Sequence, residues 1–66
     1  MTFQKALTYM RNEEKAVISC VSNKKYTLRK IQEGKSISYE TLHEGVVTSP
    51  TVEERLGEWK MDVDSL

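Results

Sequence analysis

The chain has 66 residues, ten basic and ten acidic, giving a formal charge of zero, with one cysteine and one histidine. That length is one domain (1–66) with a marginal core, which buries only about 60% of the surface its unfolded form exposes. The composition excludes an intrachain disulfide and a four-ligand structural zinc, since Cys20 and His43 are the only Cys/His ligands, and no apolar run approaches the roughly 20 residues of a membrane-spanning helix.

Phe3, Ala6, Leu7 and Met10 recur at helical spacing, so a helix is expected over residues 3–12 with Thr2 as N-cap and Asn12 near its end. The period then changes. Ala16 to Val21 is short and β-branched, as a buried strand would be. Ser22-Asn23-Lys24 can turn the chain, because asparagine tolerates a left-handed backbone. Lys25 to Gln32 alternates, with Tyr26 and Leu28 on one face and Thr27, Arg29 and Ile31 on the other. After Glu33-Gly34-Lys35, Ser36 to Leu42 alternates again, with Ile37 and Tyr39 on the expected inner face. Val46-Val47-Thr48 reads as a fourth strand or an extended connection.

Ser49 to Glu54 is a helix start: Thr51 and Glu54 have capping-box spacing, and Ser49 with Pro50 at the first helical position also fits. Leu56 is expected to face the core, and Gly57 to end the turn with a positive φ. Trp59, Met61 and Val63 then form the buried side of a last strand. The pattern is α+β: an N-terminal helix on a small antiparallel sheet of three to four strands, with a short helical turn before the last strand.

Catalysis finds little support in these residues. Cys20 lies in the most apolar strand, where a thiol is usually a small buried hydrophobe. His43 sits in a turn beside Glu44. The adjacent pairs Glu13-Glu14 and Glu53-Glu54 fall at exposed element ends, and the latter pair suits a helix dipole. Three glycines build no phosphate loop, and no metal cluster or cofactor motif is visible.

Charge is uneven along the chain. Residues 1–39 carry eight bases against three acids, and residues 40–66 two against seven. Such asymmetry can steer a partner or dock one copy on another, although both ends can equally be solvated. Lys24, Lys25, Arg29, Lys30 and Lys35, with Tyr26 and Tyr39 among them, suit phosphate contact and base stacking. Lysines on a strand also protect an exposed edge, the competing reading. With zero net charge, a small phosphate ligand is favoured over long nucleic acid. Trp59 is expected as a core anchor, with an oligomer interface or pocket rim as its alternative. A domain this small commonly gains stability by oligomerising. One thiol and an opening Met1–Lys5 without a basic leader point to a cytoplasmic protein.

Both chain ends resemble a family of small phage-encoded domains. The shared frame is Met1-Thr2-Phe3-Gln4-Lys5-Ala6-Leu7 and, later, Pro50-Thr51-Val52-Glu53-Glu54-Arg55-Leu56-Gly57-Glu58-Trp59-Lys60. Those proteins open with a Met-x-Phe-x-x-Ala-Leu helix and close with an acidic helical turn, a Leu, one or two acids and a Trp. They include the Thoeris anti-defence proteins, homo-oligomers that sequester cyclic ADP-ribose-type immune signals without cleaving them; some relatives hold cyclic dinucleotides. Here Cys20-Val21-Ser22-Asn23-Lys24 stands where they carry a Gly-Trp-Asn-Gly-like segment, and both the middle of the chain and the Leu56–Trp59 spacing are shorter.

The resemblance implies a non-enzymatic, homo-oligomeric protein of the host cytoplasm that holds a cyclic nucleotide. Lys24, Lys25 and Arg29 would contact phosphates, Tyr26 or Tyr39 would stack on a base, and Asn23 would read a polar edge. The alternative is a protein that inhibits a host enzyme through its acidic C-terminal third, with Glu53, Glu54, Glu58, Asp62 and Asp64 against a basic groove.

Overall fold

The computed structural model describes residues 1–62; Val63 of the predicted strand face and Asp64 of the acidic set lie outside them. Helix α1 spans Phe3–Glu13, with the Thr2 hydroxyl accepting the Lys5 N–H at 3.2 Å. It ends beyond Asn12, at Glu14, whose left-handed backbone (φ 54°) lets its N–H donate to the Met10 carbonyl at 3.0 Å. The strands are β1 (Val17–Ser19), β2 (Lys25–Glu33), β3 (Ser36–His43), β4 (Val46–Val47) and β5 (Trp59–Met61), with α2 (Val52–Leu56) before the last. They form one antiparallel sheet in the order β4-β3-β2-β1-β5. With α1 packed on one face, the fold is α+β. The sheet gains a fifth strand because Val46–Val47 pairs with His43 and Leu42 while the last strand pairs with β1. Among the described residues, no helix is long and apolar enough to cross a membrane.

Local chemistry explains the turns. Asn23 is left-handed (φ 64°), and Glu44 and Gly45 both have positive φ (54° and 79°), as a two-residue type I′ hairpin requires. Gly34 (φ 58°) opens the two-residue turn between β2 and β3.

Ala6, Met10, Val17, Tyr26 and Trp59 make the core, with Phe3, Leu7, Tyr9 and Leu28 packed around it. Its centre is aromatic: Trp59 lies 5.2 Å from Phe3 and 5.6 Å from Tyr26, centroid to centroid, in tilted geometry. β5 is fixed from outside by Met1, whose carbonyl accepts the Trp59 N–H at 2.8 Å and whose main-chain nitrogen donates to the Trp59 carbonyl at 2.7 Å.

Several expectations are corrected. Ile37 and Tyr39 lie on the helix side of the sheet but are 52% and 42% exposed. The reason is length: an 11-residue helix runs about 16 Å, while the nine residues of β2 extend about 30 Å. The hairpin outruns its cover. β1 stops at Ser19, so Cys20 falls in the following turn and is exposed rather than packed in the core. The buried polar side chain there is Ser19, whose hydroxyl accepts the N–H groups of Val21 (3.2 Å) and Ser22 (3.3 Å).

Leu56 does not face the core; it is 84% exposed. A five-residue helix presents one narrow inward stripe, and in α2 that stripe belongs to Glu54. Met61 is likewise half-exposed, out of the core its alternation with Trp59 implied. Gly57 is extended (φ −90°) instead of left-handed, since its N–H closes α2 by sharing the carbonyls of Glu53 and Glu54. What glycine supplies there is room: a Cβ would sit within van der Waals overlap of the Val21 side chain.

Candidate functional site

The β2–β3 register sets the geometry of the chain's most suggestive concavity. Lys30 pairs across the strands with Tyr39, and Leu28 with Thr41, so these residues share one face. The C-terminal end of α1 runs beside them and adds Met10, Arg11, Glu14 and Lys15. The result is an open groove of about 320 Å³ floored by Met10 and Leu28. Arg11 lies over the Tyr39 ring at 5.8 Å from its centroid, within cation–π range. A smaller hollow of about 240 Å³ shares Arg11, Leu28 and Tyr39 and continues toward Leu7. Three cations, one carboxylate and an aromatic ring thus line a groove with an apolar floor. That arrangement can hold a flat anionic ligand, the ring against its base and the cations on its phosphates.

The seven residues singled out from the sequence are dispersed. Tyr39 is in this groove. Asn23, Lys24 and Lys25 line a separate open hollow of about 620 Å³ with Leu42, His43 and Glu44. There Lys25 is held by Asp62 at 2.8 Å, and its carbonyl accepts the His43 Nδ1–H at 3.0 Å. Arg29 is on the opposite sheet face, ion-paired with Glu40 opposite it on β3. Tyr26 and Trp59 are both 1% exposed and present no ring face to a ligand. Trp59 is therefore the core anchor, and Tyr26 is not available for stacking. Alternation along β2 was legible, but which face the helix would cover was not, and that decides Arg29 against Lys30. Arg11 and Lys15 were missed because they reach the groove only once α1 is docked.

Glu54 overturns its expected exposure: it is 1% exposed and sits between α2, β2 and the turn after β1. Its carboxylate accepts from the Thr51 N–H (2.8 Å), from the Tyr26 hydroxyl (3.0 and 3.2 Å to its two oxygens) and from the Ser22 hydroxyl. The Thr51 hydroxyl accepts the Glu54 N–H at 3.1 Å, completing the capping box. Burial pushes the Glu54 carboxyl upward, but the hydrogen bonds from Ser22, the Thr51 main chain and Tyr26 outweigh it and hold the pKa at about 2. Burial, reinforced by the neighbouring Glu54 carboxylate, raises the Tyr26 phenol above its ordinary value. A carboxylate this saturated with donors is poorly suited to accept a substrate proton, so it holds the fold together.

The chain matches no protein-family model, no curated protein and no solved structure.

Proposed function

We propose that this domain is a non-catalytic, phage-type anti-defence protein that sequesters a cyclic nucleotide immune signal intact, as a homo-oligomer in the host cytoplasm. The observation that carries the reading is the groove beneath Tyr39, where Arg11, Lys15 and Lys30 converge beside an exposed aromatic ring. Phosphates draw on the cations, and every base offers a π-face to the ring. The resemblance of both chain ends to signal-sequestering phage domains narrows the ligand from nucleotides in general to cyclic ones. A groove of about 320 Å³ lies at the small end for enclosing such a ligand, so closure between copies fits this role.

The test is native mass spectrometry and calorimetry with a panel of cyclic nucleotides. One of them should be retained at its intact mass. Lys30→Ala should weaken it about tenfold or more, the effect of removing a charged hydrogen bond. Tyr39→Ala should cost a similar factor through lost stacking. Arg29→Ala should leave affinity unchanged, because its side chain is on the other face with Glu40. No uptake from the whole panel would end the reading, and loss of binding in Arg29→Ala alone would move the site.

A second reading, inhibition of a host enzyme through the acidic C-terminal third, has one observation in its favour. Val52 and Leu56, one turn apart on α2, are 56% and 84% exposed, beside the exposed acids Glu53 and Glu58. The rest of the acidic set is weaker than the sequence suggested: Glu54 is buried and Asp62 holds Lys25. Host-protein capture that Leu56→Asp abolishes, without nucleotide uptake, would favour this reading.

A further inference from the structure

The two edges of the sheet are finished differently. At β5, Met1 takes up both main-chain groups of Trp59. At the other edge, β4 meets β3 only at Leu42 and His43, with the Thr48 N–H reaching the Thr41 carbonyl at 3.0 Å. No described residue pairs with the outer side of Ser36–Glu40. Because Thr41 turns its carbonyl toward β4, alternation turns the N–H and C=O groups of Tyr39 and Ile37 the same way, into the open. The side chains of these two residues are also the exposed apolar ones on this strand. The stretch carries none of the usual edge guards, neither proline nor an internal lysine. Its one charge, Glu40, is ion-paired to Arg29.

We propose that this edge is an interface at which a second copy of the chain adds its own β3 antiparallel, about a twofold axis through Ser38. The register follows from parity. Antiparallel strands pair only residues whose main-chain groups face each other, so Ile37 and Tyr39 must pair with odd-numbered residues of the second copy. A twofold centred on Tyr39 would need Thr41, already taken by Thr48. One centred on Ile37 would run Lys35 of the turn into the ladder. Centring on Ser38 uses the whole free stretch, Ser36 to Glu40. It sets Ile37 against Tyr39 of the second copy, a favourable aromatic–β-branched pair, twice. The interface is small, below the roughly 1,200 Å² that marks weak, transient contacts. The nucleotide reading is not a premise here, so a dimer that takes up no nucleotide supports this inference and counts against that reading.

Ser38 would face its own symmetry mate as a non-hydrogen-bonded pair, with Cα atoms about 4.5 Å apart, inside the range a disulfide spans. In a Cys20→Ser background, Ser38→Cys should therefore cross-link into a covalent dimer under a glutathione redox buffer, many times faster than Ile37→Cys. By sedimentation velocity, the unmodified chain should associate at roughly 100 µM, as expected of a small interface. Ile37→Pro should be monomeric there with unchanged far-UV circular dichroism, since proline is tolerated on an edge strand where its nitrogen faces outward. A wild-type chain that stays monomeric at about 1 mM, in the millimolar range where even weak contacts populate, would overturn the proposal. So would equal cross-linking of the two cysteine variants, or a dimer that survives Ile37→Pro.

Discussion

Glu54→Ala is expected to remove about 3–5 kcal/mol of stability, the cost of taking one partner out of a buried charged network. The whole domain, at about 0.05–0.15 kcal/mol per residue, has roughly 3–10 kcal/mol to lose. The variant should therefore lose about a third or more of its stability, and at the lower end of that range be largely unfolded at room temperature. The loss is large because the carboxylate leaves three donors behind: the Tyr26 hydroxyl, the Ser22 hydroxyl and the Thr51 N–H. Tyr26→Phe removes one donor from a carboxylate that keeps the others, and should cost only about 1–2 kcal/mol.

Acid separates the charge from the packing. The Glu54 pKa falls from 4.5 to about 2 on folding. A depressed carboxyl contributes stability that is complete above pH 4.5 and lost as pH falls toward 2, at most about 3 kcal/mol from this group. Glu54→Gln keeps the shape but presents an amide N–H₂ to donors. It should be markedly less stable than wild type at pH 6, with the gap narrowing steadily to pH 2. Urea denaturation across that range reads both quantities. A constant gap would mean that the carboxylate charge plays no part.

The second large effect is expected at Trp59. Trp59→Ala should cost about 3–5 kcal/mol, the usual loss for a large aromatic removed from a core. The ring touches Phe3 and Tyr26, and its indole N–H donates to the Glu54 carbonyl at 2.9 Å. The same residue's main chain carries both bonds to Met1. Trp59→Phe restores ring contact without the indole donor and should recover about half the loss, leaving the cost of one lost hydrogen bond and a smaller ring, since the Glu54 carbonyl keeps the Gly57 N–H. Chemical denaturation followed by circular dichroism distinguishes the two variants. A cost below about 1 kcal/mol for Trp59→Ala, typical of a surface change, would refute its assignment as the core anchor.

These two residues also show how far the sequence could be read. Trp59 was legible, because strict alternation and a single large aromatic need no knowledge of tertiary contacts. Glu54 was half legible. Its spacing from Thr51 announced the cap, but the donors that make its burial tolerable come from Ser22 and Tyr26, about 30 residues away. An acid in a first turn is ordinarily solvated, so local rules gave the wrong exposure for the right motif. Ile37 and Tyr39 failed for another reason: period two identifies a face, and the length of the opposing helix decides how much of that face is covered. The same ignorance scattered the candidate site. Lys30 and Arg29 are neighbours in sequence on opposite sides of the sheet, and only the docking of α1 tells them apart.

The order in which the strands meet has a kinetic consequence. β2 and β3 are joined by a two-residue turn, so their ladder closes locally. β1 finds its other neighbour, β5, only by pairing Val17–Ser19 with Trp59–Met61, a closure over about 40 residues that must first be met in chain entropy. Amide hydrogens on the outer hairpin should then exchange with solvent by fraying, independently of the rest. Those of Val17, Thr51 and Trp59 should wait for the whole molecule to open, because the Glu54 carboxylate ties α2, β2 and the β1 turn together. The fold should thus open in two steps, the outer hairpin before the elements gathered around the buried charge.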